Sequence, residues 1–143
     1  MKILIKPWKE AELEAFPIRE EVFIKEQGVP ADLEIDEFDL SASHAIAYQG
    51  DRCVGTGRLV HLGNGQAQIG RMAVLTQFRG KGVGKLILSK LIDLATTEGI
   101  SSLVLHSQII AIPFYEKLGF QADGPSYDEV GIEHRNMIVL LPK

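Results

Sequence analysis

Apolar and polar positions alternate in two rhythms along this 143-residue chain. KILIK (residues 2–6) alternates residue by residue, which predicts a short first strand. From Glu10 the rhythm lengthens. Leu13, Phe16, Val22 and Phe23 recur on roughly helical spacing, and Gly28 reads as a helix stop. Pro17 lies inside that pattern. Its ring removes a backbone donor and crowds the preceding turn, so a kink or a split into two helices is expected. Residues 29–43, VPADLEIDEFDLSAS, follow neither rhythm and read as an acidic connecting loop.

The two-residue rhythm returns in HAIAY (44–48) and RCVGTGRLVHL (52–62), with QGD as the turn between them. GNG (63–65) is a hairpin signal, because glycine and asparagine tolerate positive φ, and QAQIGRMAVL (66–75) follows as a third consecutive strand of an antiparallel meander. Val83, Ile87, Leu91 and Leu94 then form one stripe of an amphipathic helix ending before Gly99, a C′-like position. SSLVLHS (101–107) is β-like. IIAIPFYEKL (109–118) is a helix that tolerates Pro113 only near its first turn and stops at Gly119; FQADG and IEHRNMIVLL close the pattern as strands. Helices interrupting a mixed sheet in this order point to an α+β or α/β domain, and the length fits one domain, residues 1–143.

Composition narrows the classes. Apolar residues make up 45% and charged residues 24%, as in ordinary globular proteins. Net charge is −4 and the pI near 5.5, which argues against nucleic-acid binding and assigns any cationic cluster to a local anion. Cys53 is the sole cysteine, so no internal disulfide forms. The apolar run opening MKILIKPWKE is too short for a signal peptide, and no stretch approaches membrane-spanning length. A cytoplasmic protein without membrane or nucleic-acid partners is expected.

Against this acidic background, QFRGKGVGKLI (77–87) sets Arg79, Lys81 and Lys85 among Gly80, Gly82 and Gly84, just before the amphipathic helix. A helix start offers unpaired amides and a partial positive charge, and glycines let main chain approach an anion closely. These are the requirements of a pyrophosphate site. The Walker pattern fails, since Arg79 stands where its first glycine belongs and Leu86 where its hydroxyl belongs. The dinucleotide fingerprint fails too, because the spacing is G-x-G-x-G and the segment follows a meander. The bland alternative is a glycine turn that only shapes the strand-to-helix connection.

A wider match separates these readings. RMAVLTQFRGKGVGKLIL resembles the signature of the GNAT superfamily of N-acetyltransferases, whose R/Q-x-x-G-x-G/A motif is matched by Arg79, Gly82 and Gly84. SQIIAIPFYEKLGF resembles the family's N-x-x-A-x-x-x-Y-E-K-x-G-F segment, with Gln108 in place of Asn and direct matches at Ala111, Tyr115, Glu116, Lys117, Gly119 and Phe120. Arg19, Val22, Phe23, Glu26 and Gln27 are similar to the ElaA-like branch of small GNAT proteins. The resemblance implies a twisted mixed sheet, splayed at its middle and flanked by helices, with acetyl-CoA as cosubstrate in the gap and no metal. It implies that main chain of Met72, Ala73 and Val74 pairs with the pantetheine. The amides of Arg79, Gly80, Lys81, Gly82, Val83 and Gly84 would then hold the pyrophosphate, with Gln108 also touching the cofactor. Dimers are common in the family, so a homodimer is one expected state.

Acyl transfer to an amine requires a neutral amine, a stabilised oxyanion and a proton for the leaving thiolate. A primary alkyl amine has a pKa of ~10.4 and must lose a proton first. The Val74 amide is the oxyanion donor the resemblance implies, and Tyr115 is the general acid. The structural alternative for Tyr115 is helix packing beside Ala111. Many family members carry a glutamate on the fourth strand or at the start of the fifth; AQIGRMAV and SSLVLH hold no carboxylate. His106, His134, Glu133 or water remain as bases, the histidines having ordinary strand positions as the alternative. Cys53, mid-strand, reads as a small hydrophobe rather than a nucleophile.

ADLEIDEFD (31–39) gathers five carboxylates. It reads as a solvated loop, or as an acceptor entrance that attracts a cationic amine, with Leu33, Ile35 and Phe38 docking it on the core. Arg19 and Glu26 could share a helix face within a structural ion-pair network. The expected activity is acetyl transfer from acetyl-CoA to a small-molecule primary amine by direct attack in a ternary complex. The alternatives are a non-catalytic CoA-binding module and an NTP-binding domain.

Overall fold

The computed structural model describes residues 1–142; the side chain of Leu33, expected to dock the acidic segment, lies outside the described residues. Strand β1 (Lys2–Pro7) leads directly into helix α1 (Trp8–Arg19). The buried residues Trp8, Ala11, Ala15, Ile18 and Val22 alternate spacings of three and four, which puts them on one helical stripe. Leu13, read as part of that stripe, is instead 89% exposed. Two small alanines rather than the larger Leu13 face the sheet, where Trp8, Ala11 and Ala15 pack with Ile46 and Tyr48.

Pro17 neither ends nor splits the helix. The chain continues into a π-helical segment, Glu20–Glu26, and the Glu20 amide bonds to both the Phe16 and Pro17 carbonyls. A proline within α1 cannot donate to the preceding turn, and the seven residues that follow Arg19 take the wider winding. The segment closes near Gly28, whose φ of 76° lets the chain turn away.

Residues 29–43 are not simply a solvated loop. Helix α2 (Ala31–Glu34) opens the segment, and Glu34 and Asp39 are buried. Strands β2 (Ser43–Gln49), β3 (Arg52–Gly63) and β4 (Gln66–Val74) form the expected meander, the last two joined at Asn64 and Gly65, both with positive φ. Helix α3 (Val83–Thr97) buries Val83, Ile87, Leu88, Leu91 and Ala95 against the sheet. Its end is a Schellman motif: the Ile100 amide bonds to Ala95 O and the Gly99 amide to Thr96 O. Gly57 of β3 permits the close approach of α3, since a Cβ there would stand 2.6 Å from Met72 Sδ and 3.0 Å from Ile87 Cγ2.

Strand β5 (Ser102–Gln108), a 3-10 turn, the short helix α4 (Ile112–Glu116) and the hairpin β6 (Gln121–Glu129) and β7 (Ile132–Leu140) complete the chain. The seven strands run in the order β1-β2-β3-β4-β5-β7-β6, and every neighbouring pair is antiparallel except β4 and β5.

Two irregularities fall at that parallel pair. Its register runs from Gln66↔Ser102 to Ile69↔Leu105 and stops, although β4 continues to Val74 and β5 to Gln108. The strands therefore part in the middle of the sheet. On its other edge β4 carries one extra residue between the pairs Thr56↔Ala73 and Arg58↔Gly70, with Arg71 at φ 50°. A bulge re-aims side chains, and this one lies where the strands part.

Candidate active site

The gap between β4 and β5 opens into a cleft of about 1200 Å³. Gly70–Val74 line one arm and Leu105–Gln108 the other; the end of the π-helical segment, the start of α3, α4 and the β6–β7 turn complete the walls. The unpaired edge of β4 beyond Ile69 is available to an extended chain lying in the gap.

Gly82 caps α3 at φ 83°, and its carbonyl accepts the Leu86 amide as the first helical bond. The amides of Val83, Gly84 and Lys85 thus precede any intrahelical acceptor, and no side chain caps them. A Cβ on Gly80 or Gly82 would meet open space, so both glycines serve the left-handed backbone, not tight packing. These features fit a diphosphate: outward amides, a helix start and the exposed Lys81 and Lys85 at the rim.

Arg79 departs from a simple rim cation. Its Nη1 and Nη2 donate to Glu26 Oε2 and Oε1 at 2.8 and 2.7 Å, and its Nε donates to the Val74 carbonyl at 2.9 Å. Across the gap, Gln108 Nε2 donates to Gln27 Oε1 at 2.9 Å. Consecutive residues at the end of the π-helical segment therefore hold one arm of the cleft each. Arg19 and Glu26, expected to share a network, are divided: Glu26 faces Arg79, and Arg19 lies in the buried cluster described below.

Tyr115 projects from α4 into the cleft, 9% exposed, its ring edge-on to Phe114 and Phe120. Its hydroxyl has no hydrogen-bond partner among the described residues. Burial pushes the phenol up to about 12. It is held protonated, with a donor that no protein acceptor occupies.

A carboxylate does reach the cleft, from β6. Glu129 Oε1 accepts Nδ1–H of His106 at 3.0 Å, and its Oε2 stands 3.7 Å from His134 Nε2; all three residues line the cleft. His134 is 6% exposed and stacks on Tyr127. Glu133 is exposed and outside the cleft lining, because strand alternation turns it away from its neighbour His134. Sequence reading found the histidines and missed Glu129, which meets them only through the pairings Gln108↔His134 and Glu129↔Ile132. EVGIE, with its turn glycine, carries the hairpin signal that could have placed it.

The acidic segment forms the opposite wall. Arg19 donates to the Glu34 carboxylate through Nε and to Asp39 at 2.8 and 3.1 Å; Arg58 bridges Asp36 and Asp39, and Arg71 bridges Glu34 and Asp36. Burial opposes ionisation of Asp39, yet Arg19's hydrogen bonds and charge prevail and hold it at about 2. At Glu34 burial prevails and raises the carboxyl. Ile35 and Phe38 are 42% and 43% exposed, so ion pairing, not apolar docking by these two, fastens the segment. Cys53 lies outside the cleft lining, and burial lifts its thiol to about 11, as expected of an inert cysteine.

Comparison with known proteins converges on one family. A model described as an acetyltransferase (GNAT) domain matches residues 8–141. The uncharacterized N-acetyltransferase YjcF of Bacillus subtilis is 38% identical over 139 residues, covering 96% of this chain and 99% of the relative. The uncharacterized protein YyaT of the same organism is 40% identical over 129 residues, covering 87% and 86%. Among solved structures, Escherichia coli ElaA superposes with a TM-score of 0.87 at 26% identity, covering 96% of this chain and 99% of ElaA.

Proposed function

The chain belongs to the acetyltransferase (GNAT) domain family, and from that premise we propose that residues 1–143 form one domain that moves the acetyl group of acetyl-CoA directly onto a primary amine. The protein is an acyltransferase. The observation that carries the acetyl-CoA reading is the parting of β4 and β5 beyond Ile69 and Leu105, with the open amides of α3 at the same cleft. The turn before α3 has neither the Walker spacing nor the dinucleotide spacing.

When bound, acetyl-CoA supplies an activated thioester. The chain's own groups do the rest. Main chain of Met72, Ala73 and Val74 lies on the unpaired edge of β4 and orients the pantetheine as an added strand. The amides around Gly82 and the start of α3 hold the diphosphate, and the Val74 amide faces the developing oxyanion. Gln108 closes the β5 side. Tyr115 keeps its proton until the sulfur departs and then hydrogen-bonds or protonates it.

The rival reading, a CoA-binding module without chemistry, is disfavoured by the unpartnered Tyr115 hydroxyl in the cleft. The test is free-thiol release from acetyl-CoA over a panel of primary amines. Turnover on any amine establishes transfer. Acetyl-CoA binding without turnover across the panel supports the module.

A further inference from the structure

Four carboxylates line the cleft among the described residues, and three are neutralised by arginines. Glu26 meets Arg79; Glu34 meets Arg19 and Arg71; Asp36 meets Arg58 and Arg71. Among the described residues, Glu129 makes its ion-pair contacts only with imidazoles, those of His106 and His134. The cleft thus concentrates uncompensated negative charge at one place, on the wall opposite the Glu34–Asp36 segment.

The histidine geometry sharpens this. His134 Nδ1–H donates to the Ile132 carbonyl at 2.7 Å, which leaves the lone pair on Nε2. That nitrogen faces Glu129 Oε2 at 3.7 Å, too far for a hydrogen bond. In the neutral imidazole both atoms are acceptors, so a lone pair and a carboxylate oxygen confront each other without a proton. His134's side chain is only 7% exposed while that of Glu129 is 42% exposed, so the imidazole nitrogen is screened from bulk water and the carboxylate opens toward the cleft. A donor placed between them satisfies both. His106 holds the other carboxylate oxygen and fixes its direction.

We propose that Glu129 Oε2 and His134 Nε2 together bind the acceptor's ammonium, and that His134 is the base that takes its proton. This rests on the acetyl-transfer reading above. The ammonium, R–NH3⁺, gives one proton to Nε2, forming an imidazolium paired with Glu129. The freed nitrogen lone pair then bonds to the thioester carbonyl carbon. As the C–S bond breaks, the sulfur takes its electron pair and a proton from Tyr115. The nitrogen's second proton passes to the tyrosinate through the cleft. Products are the amide, free CoA thiol and one proton, which leaves from His134.

The surroundings set the acceptor's class. Val130, next to Glu129 in the β6–β7 turn, is 44% exposed at the cleft wall, and Ile132, which pairs with Glu129, lines the cleft too. No second unneutralised carboxylate lies among the described lining residues. The site therefore selects a primary amine carrying an apolar group over a polyamine. The charged and titratable groups facing His134 are Glu129 and Tyr127 from β6, and His106 from β5 through Glu129.

The test uses the full chain, acetyl-CoA and phenethylamine as probe, with spermidine for contrast. Glu129→Gln is expected to raise KM for phenethylamine ~10-fold or more, and His134→Gln to lower kcat ~10²-fold or more, with acetyl-CoA affinity unchanged by calorimetry. Glu133→Gln, one residue away and pointing out, matches wild type. Independently of turnover, phenethylamine shifts the His134 ring nitrogens in the NMR spectrum of the histidine-labelled protein, and the shift is absent in Glu129→Gln. Undiminished kinetics in both variants on an amine that wild type acetylates, or spermidine preferred over phenethylamine, overturns the proposal. An unmoved His134 ring does so too. A saturable His134 shift without thiol release from any amine would uphold the ammonium site while the transfer reading fails.

Discussion

Glu26 grips Arg79 with both carboxylate oxygens while the same guanidinium holds the Val74 carbonyl, so one ion pair ties the π-helical segment to the end of β4 and to the loop that leads into α3. Arg79 thereby fixes the loop's backbone, and in the proposed reading the loop's amides, not this guanidinium, meet the diphosphate. The contact is exposed and contributes little to global stability, ~0–1 kcal/mol by the usual worth of such pairs. Its consequence is local. Glu26→Gln is expected to weaken acetyl-CoA binding by ~3–10-fold, about the cost of a few tenths to one lost charged hydrogen bond, with nearly unchanged melting temperature. Calorimetry decides; tighter binding in the variant would show that Glu26 withholds Arg79 from the phosphates.

Gly82→Asp should abolish measurable acetyl-CoA binding while the protein stays folded. The added Cβ meets open space, so the structural cost is confined to the left-handed backbone, ~1–2 kcal/mol. The added carboxylate stands where the diphosphate's charge would lie. Retained affinity in a calorimetric titration places the ligand elsewhere.

Tyr115→Phe is expected to lower turnover by ~10²-fold with acetyl-CoA affinity and stability little changed, since the hydroxyl has no protein partner to lose. The pH dependence has a definite sign. A phenol raised to about 12 from 10.0 stays protonated in the folded state as pH rises through 10, so it stabilises the fold below that value and this contribution is lost between pH 10 and about 12. Thermal melts of wild type should fall more steeply than those of Tyr115→Phe across that window. Equal slopes would deny the burial of the phenol.

Asp39 offers the opposite sign. Its carboxyl lies at about 2 against an ordinary 3.8, so its contribution is complete above pH 3.8 and is lost as pH falls toward 2. Asp39→Asn should flatten that part of the acid-denaturation curve. Asp39→Ala, which strips Arg19 and Arg58 of a shared partner, should cost ~3–5 kcal/mol in chemical denaturation. A loss below 1 kcal/mol would mean that the remaining carboxylates close over the gap.

How far the sequence reached depended on the range of the interactions involved. The α3 stripe, the GNG hairpin and the Gly99 stop are set by residues a few positions apart, and each formed where the local pattern put it. Leu13 shows where local pattern fails: an amphipathic rhythm fixes a period but not which face meets the sheet, and the sheet takes Ala11 and Ala15. The five carboxylates of residues 31–39 carry no local mark distinguishing a buried ion pair from a solvated one. Three of them, Glu34, Asp36 and Asp39, are fastened by Arg19 of α1 and by Arg58 and Arg71, which come from strands β3 and β4.

The chain's own order determined the family, most of the strand and helix succession and the glycine-rich turn before α3, because each is written in contiguous residues with fixed spacing. Tertiary structure alone decided that Glu26 claims Arg79, that Glu129 joins His106 and His134, and that Glu133 turns away. Those relations depend on strand register and on the parting of β4 from β5. Both are settled by packing and hydrogen bonding between segments far apart in the chain, where a one-residue shift would turn every side chain to the other face.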